Sequence, residues 1–110
     1  METKKARRRG RKLSTVVRIV KNISLYQSHF DIIEKEQIEL SYFVRFILEN
    51  EKENYLKLGE PICKFNNDGI ITTTVSLYKD ETEKIVGIDN FSNFIRWSLE
   101  QKNILQKYLK

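Results

Sequence analysis

The stretch SYFVRFILEN, residues 41–50, is nearly rewritten as SNFIRWSLEQ, residues 92–101. Ser41, Phe43, Arg45, Leu48 and Glu49 recur as Ser92, Phe94, Arg96, Leu99 and Glu100, with Val44/Ile95 and Phe46/Trp97 as close replacements. An internal repeat constrains a fold more than any local propensity does. Two copies are too few for a stacked solenoid, which needs about three or more. The expectation is a half-domain written twice. The phrase also sets a packing demand. Tyr42, Phe43, Val44, Phe46, Ile47 and Leu48 surround the single cation Arg45, so a helix here is apolar nearly all round. Such a helix must be covered from both sides.

Working outward, the same order of elements occurs twice. LSTVVRIVKN, residues 13–22, alternates as a strand, with Ser14, Val16, Arg18 and Val20 on one face and Leu13, Thr15, Val17 and Ile19 on the other. Val17 and Ile19 make the better core pair, which turns the Arg18 face outward. SLYQSHFDIIEKEQ, residues 24–37, switches to helical spacing, with Ser24 as the expected N-cap and Tyr26, Phe30 and Ile33 as its apolar stripe. The quoted phrase then opens a second helix running toward Leu58, stopped by Gly59 and Pro61. After the turn-rich linker GEPICKFNNDG, residues 59–69, comes the strand IITTTVSLYKD, with Thr72, Thr74 and Ser76 on one face and Ile71, Thr73, Val75 and Leu77 on the other. A short helix in KDETEKIV, about two turns shorter than its counterpart, precedes a long helix over residues 88–109, capped by Asp89 or Asn90. The chain thus divides into a basic arm (1–12), a first strand–helix–helix repeat (13–58), a linker (59–69) and a second repeat (70–110).

Bulk composition narrows the class. At 110 residues with 40% hydrophobic content, the chain is one domain or two very small ones with a modest core. No apolar run approaches the roughly 18 residues of a membrane helix, and no signal-peptide h-region follows the charged start. With Cys63 alone no internal disulfide forms, and the expected location is intracellular. Net charge is +5, but seven cations (Lys4, Lys5, Arg7, Arg8, Arg9, Arg11, Lys12) crowd the first twelve residues against Glu2. Residues 13–110 hold thirteen basic and fourteen acidic side chains, a net of −1. Like charges in a block repel and stay disordered, and basic arms of this kind meet nucleic acid.

One strand with two helices cannot stand alone, because its strand has no partner. Two copies pair their strands antiparallel and bury each other's long helices. The alternating TVVRIV and TTVSL with the phrases SYFVR and SNFIR resemble the ribbon–helix–helix family of DNA-binding proteins. The resemblance covers residues 13–58 and 70–109. Two copies in one chain imply an intramolecular pseudo-dimer, similar to small tandem ribbon–helix–helix regulators of hyperthermophilic archaeal viruses, so the compartment would then be the host cytoplasm. The ten residues Glu60 to Gly69 span roughly 30 Å extended, enough for that connection.

The resemblance implies a transcription regulator, repressor or activator, that inserts a two-stranded ribbon into the major groove of double-stranded DNA. Base contacts are expected from Val16, Arg18, Thr72, Thr74 and Ser76. Phosphate contacts are expected from Arg7, Arg8, Arg9, Arg11 and Lys12 of the arm and from Ser41 and Ser92 at the starts of the second helices. Because the strands differ, the operator should have unlike halves, and pseudo-dimers could assemble further along DNA. Arg45 and Arg96 lie inside apolar helices and are expected to form structural ion pairs, with Glu49 or Glu100 four residues on. No cofactor is implied, and no membrane partner.

Other readings compete. The one histidine, His29, reads as a surface or boundary residue of the first helix, and Cys63 lacks a second cysteine for a metal site. No phosphate-loop or dinucleotide fingerprint occurs, so catalysis has little support. An antitoxin-like interaction protein would need a segment to wrap its partner, and few residues follow Leu109. A non-specific DNA-coating protein needs only the arm and a small core.

Overall fold

The computed structural model describes residues 18–65 and 69–110. In chain order these form β1 (Arg18–Tyr26), α1 (Gln27–Lys35), α2 (Leu40–Asn50), α3 (Lys52–Lys57), β2 (Ile70–Tyr78), α4 (Lys79–Glu83), α5 (Phe91–Glu100) and α6 (Lys102–Leu109). The two strands pair antiparallel into a two-stranded sheet, with Asn22 opposite Thr74 at its middle. Strand and helices therefore follow one another twice, in a mixed α/β arrangement whose antiparallel pairing agrees with expectation.

Such a sheet buries only one face, so the residues that build its core must fall on that face. Ile23 and Leu25 of β1 and Val75 and Leu77 of β2 do so and are buried. Against them lie Phe43, Val44, Ile47 and Leu48 of α2 and Phe94, Ile95, Trp97 and Leu99 of α5. Each such side chain contributes about 1.5–3 kcal/mol on full burial. The covering that the repeated phrase demands is most complete at α5, which is buried continuously from Asn93 to Leu99. Tyr55 of α3 closes the core from below, its ring 4.7 Å from that of Phe94 and 5.2 Å from that of Trp97.

Several local expectations give way to tertiary packing. The first strand continues through Ser24 to Tyr26, so α1 starts at Gln27 and Ser24 is no cap. Ile23 and Leu25 alternate in step with β2, and that pairing outweighs the helical spacing beginning at Tyr26. The buried β1 pair is accordingly Ile23 and Leu25, with Ile19 only half-buried; Val17 lies outside the described residues. The first helices differ by about one turn rather than two, nine residues against five.

Both long helices are broken. The first is interrupted at Glu51 and the second at Gln101, which is extended (φ −93°, ψ 111°). A break leaves helix carbonyls without partners. Asn50 Nδ2 donates to the Phe46 carbonyl at 2.9 Å, and Gln101 Nε2 donates to that of Trp97 at 3.2 Å. Two amide side chains thus do the same job at corresponding places in the repeat.

The end of α3 and the start of α5 follow expectation. Gly59, at φ 80°, closes α3 in the left-handed conformation that glycine adopts without strain. Asn90 caps α5, its Oδ1 accepting from the Asn93 amide at 3.0 Å. The linker then lies on α5 rather than hanging free. Asn93 donates through Nδ2 to the Tyr55 hydroxyl (2.6 Å) and the Pro61 carbonyl (2.9 Å), and accepts from the Cys63 amide (2.9 Å). No helix among the described residues is long and apolar enough to cross a membrane.

Candidate nucleic-acid interface

The face of the ribbon turned away from the helices carries Arg18, Val20, Asn22 and Ser24 from β1 and Thr72, Thr74 and Ser76 from β2. Across the strands Val20 meets Ser76, Asn22 meets Thr74, and Ser24 meets Thr72. Val20, Asn22, Thr72 and Thr74 are exposed, whereas Ser24 and Ser76 are half-buried. Neither strand contains a carboxylate, and β1 places Arg18 on this face, while the exposed Lys21 lies on the other, in register with Val75. The surface is therefore a narrow strip of hydroxyls, an amide and a branched aliphatic group, under a positive charge.

A two-stranded ribbon has two edges, and each exposes unpaired backbone groups. Here each edge is held by a helix from the other half of the chain. The Ser24 amide donates to Ser92 Oγ at 3.0 Å, and Arg96 Nη1 donates to the Ser24 carbonyl at 2.7 Å. On the opposite edge the Ser76 amide donates to Ser41 Oγ at 3.1 Å, and Arg45 Nη2 donates to the Ser76 carbonyl at 3.4 Å. Arg96 lies over the Tyr26 ring (5.1 Å) and Arg45 over that of Tyr78 (4.8 Å). The first turns of α5 and α2 are thereby fixed beside the ribbon.

Of the residues expected to contact bases, Arg18, Thr72, Thr74 and Ser76 lie on the outward face, while Val16 lies outside the described residues. Arg18 is at the end of the strip, its Nη2 3.4 Å from the Tyr78 hydroxyl. Arg7, Arg8, Arg9, Arg11 and Lys12 of the arm also lie outside the described residues. Ser41 and Ser92 accept strand amides, and each hydroxyl keeps its own proton for a second acceptor.

The expected partners of the two arginines need correction. Arg45 pairs with Glu81 (3.2 Å), not Glu49, and Arg96 binds the Ser24 carbonyl rather than the carboxylate at Glu100. Glu100 is drawn instead to His29, 2.7 Å away, and to the amides of Lys64 and Phe65. His29 is wholly buried, not a surface residue, because it fills the space between Tyr26, Phe65 and α5.

Val20, expected on the outward face, was not counted among the base contacts, and Asn22 was not singled out at all. A second repeat marks them. Ser24-Leu25-Tyr26 recurs as Ser76-Leu77-Tyr78, which aligns Val20 with Thr72 and Asn22 with Thr74. Comparison with protein-family models, curated proteins and solved structures gives no significant match.

Proposed function

We propose that the chain is a sequence-specific double-stranded DNA-binding transcription regulator of the ribbon–helix–helix type, its two repeats forming a pseudo-dimer within one chain. The observation that carries this reading is the exposed, carboxylate-free outer face of the ribbon, flanked by the first turns of α2 and α5 in matched positions. A B-DNA major groove about 12 Å wide admits a two-stranded ribbon. Helix N-termini beside it place backbone amides and the Ser41 and Ser92 hydroxyls toward phosphate oxygens.

The side chains suit base edges. Arg18 matches the acceptors of guanine, Asn22 pairs with adenine through its amide, and Val20 offers an apolar surface to a thymine methyl. In the other half Thr72 and Thr74 supply hydroxyls and methyls at the positions aligned with Val20 and Asn22. The two halves thus read different chemistry, and the preferred operator has unlike halves. The arm adds sequence-independent attraction that weakens steeply with salt.

Footprinting on random and genomic duplexes with excess competitor tests this. A discrete footprint that fades in Asn22→Ala and Arg18→Ala is the expected result. Uniform coating that ignores both substitutions would overturn it in favour of a packaging role.

A further inference from the structure

The chain has one histidine and one cysteine, and the fold brings them together with a carboxylate. His29 of α1, Cys63 of the linker and Glu100 at the end of α5 place their donor atoms within 4.8 Å of one another. His29 and Cys63 are buried, and the Glu100 side chain is only 5% exposed. We propose that these three residues form a binding site for a transition-metal dication of the zinc class.

The donor set is the first reason. Imidazole, thiolate and carboxylate are the ligands that zinc takes, whereas calcium and magnesium take oxygen. Glu100 and a Cys63 thiolate bring two negative charges, which neutralise a dication, and a water would take the fourth position of a tetrahedral zinc. Ligand atoms around a tetrahedral zinc stand roughly 3.3–3.8 Å apart, given bonds of about 2.0–2.3 Å. The cluster reaches that geometry if its widest spacing closes by about 1 Å and the His29–Glu100 pair, at 2.7 Å, opens by somewhat less. Glu100 is already aimed, since the amides of Lys64 and Phe65 donate to its two oxygens at 2.8 and 3.1 Å. Such orienting bonds are what a ligating carboxylate requires.

The departure from the internal repeat is the second reason. The position aligned with His29 is Glu81, which accepts the Tyr78 amide at 2.8 Å and pairs with Arg45. The position aligned with Glu100 is Glu49, which is exposed. The fold therefore manages without a histidine in one half. In the other, a histidine and an inward carboxylate meet the linker cysteine.

Proton bookkeeping gives the site a signature. His29 Nδ1 accepts the Tyr26 amide at 3.3 Å, so the ring proton sits on Nε2, facing Glu100. Ligation through Nε2 moves that proton to Nδ1 and breaks the Tyr26 bond, which is at the long end of hydrogen-bond distances. The Cys63 thiol loses its proton to solvent. One proton is released per metal bound, and the Tyr26 amide changes its environment.

The test is titration of the reduced, metal-stripped full chain with Co²⁺, then Zn²⁺. Expected are one equivalent of cobalt, a near-ultraviolet thiolate-to-cobalt band that zinc bleaches, and release of about one proton per metal. Cys63→Ala should abolish the band. His29→Gln and Glu100→Gln should each weaken binding at least tenfold, while Glu49→Gln leaves it unchanged. If His29→Gln fails to fold, the wild-type Tyr26 amide resonance serves instead, and it should shift on zinc addition. No cobalt band at millimolar metal, a band indifferent to both His29→Gln and Glu100→Gln, or an unmoved Tyr26 amide would overturn the proposal.

Discussion

Arg96, on α5, donates to the carbonyl of Ser24, on β1, at 2.7 Å across 72 residues of sequence. The contact joins the end of the ribbon to the most buried helix of the core. Arg96 is itself only 8% exposed, so the cation is placed for holding the ribbon rather than for meeting solvent.

Truncating it should therefore cost stability. Arg96→Ala leaves the Ser24 carbonyl unpaired and should lower unfolding free energy by about 1.5–3 kcal/mol, the range for hydrogen bonds to charged groups. Arg45→Ala removes the longer 3.4 Å contact of a more exposed side chain, and should cost about 1 kcal/mol. Urea denaturation of both variants checks the order. A loss below about 0.5 kcal/mol for Arg96→Ala, the size of a surface substitution, would show that edge-holding is not what Arg96 does.

The outward ribbon residues should behave oppositely. Asn22→Ala and Thr74→Ala remove exposed side chains outside the core and should change stability by no more than about 0.5 kcal/mol. If the ribbon reads DNA, Asn22→Ala should also cost about 1–3 kcal/mol of discrimination at one base pair. Thermal melts with competition binding separate the two effects, and unchanged discrimination would remove Asn22 from the readout.

Asn93 should be among the costliest polar positions to change. Asn93→Ala leaves the Cys63 amide and the Pro61 carbonyl without their partner and strips the Tyr55 hydroxyl of its 2.6 Å donor. A loss of at least about 2 kcal/mol is expected, since each buried group left unpaired costs about 1–3 kcal/mol. A chemical melt within 0.5 kcal/mol of wild type (roughly surface-substitution size) would mean that the linker does not depend on this residue.

Alkaline stability should reflect two phenols. Burial, the largest cause in each case, pushes Tyr55 and Tyr108 above the ordinary value of 10.0. The unfolded chain then ionises first as pH rises. The stability linked to these groups is complete below about pH 10 and is lost as pH climbs through the folded values. Tyr108→Phe spares the Asn93 network and should flatten the fall in urea midpoint between about pH 9 and 11. An unaltered slope would exonerate Tyr108.

The stop at Gly59 was legible in neighbouring residues, and the antiparallel pairing followed from the repeat, since a duplicated strand needs a partner. The boundary at Ser24 was not legible. Residues 24–30 suit a strand or a helix equally, and the choice is made by β2 alongside and by Ser92 and Arg96 from the far end of the chain. The same limit applies to Arg45 and Arg96. Spacing along one helix suggests partners at i+4, but Glu81 and a strand carbonyl lie nearer in space. Most of the outward ribbon was visible, in Arg18, Val20, Thr72, Thr74 and Ser76. Asn22 required aligning the shorter repeat Ser-Leu-Tyr, as did matching Val20 to Thr72. The approach of His29 to Cys63 follows from where the linker lies, which no local pattern records.

Asn93 and Glu100 hold residues 61–65 of the linker against α5. Domain swapping, in which two chains trade halves, would have to peel this segment away before the strands could find new neighbours. The tether instead fixes a high local concentration of each strand for the other. Folding should then be first order, with a midpoint that does not move on dilution, whereas a two-chain dimer loosens when dilute.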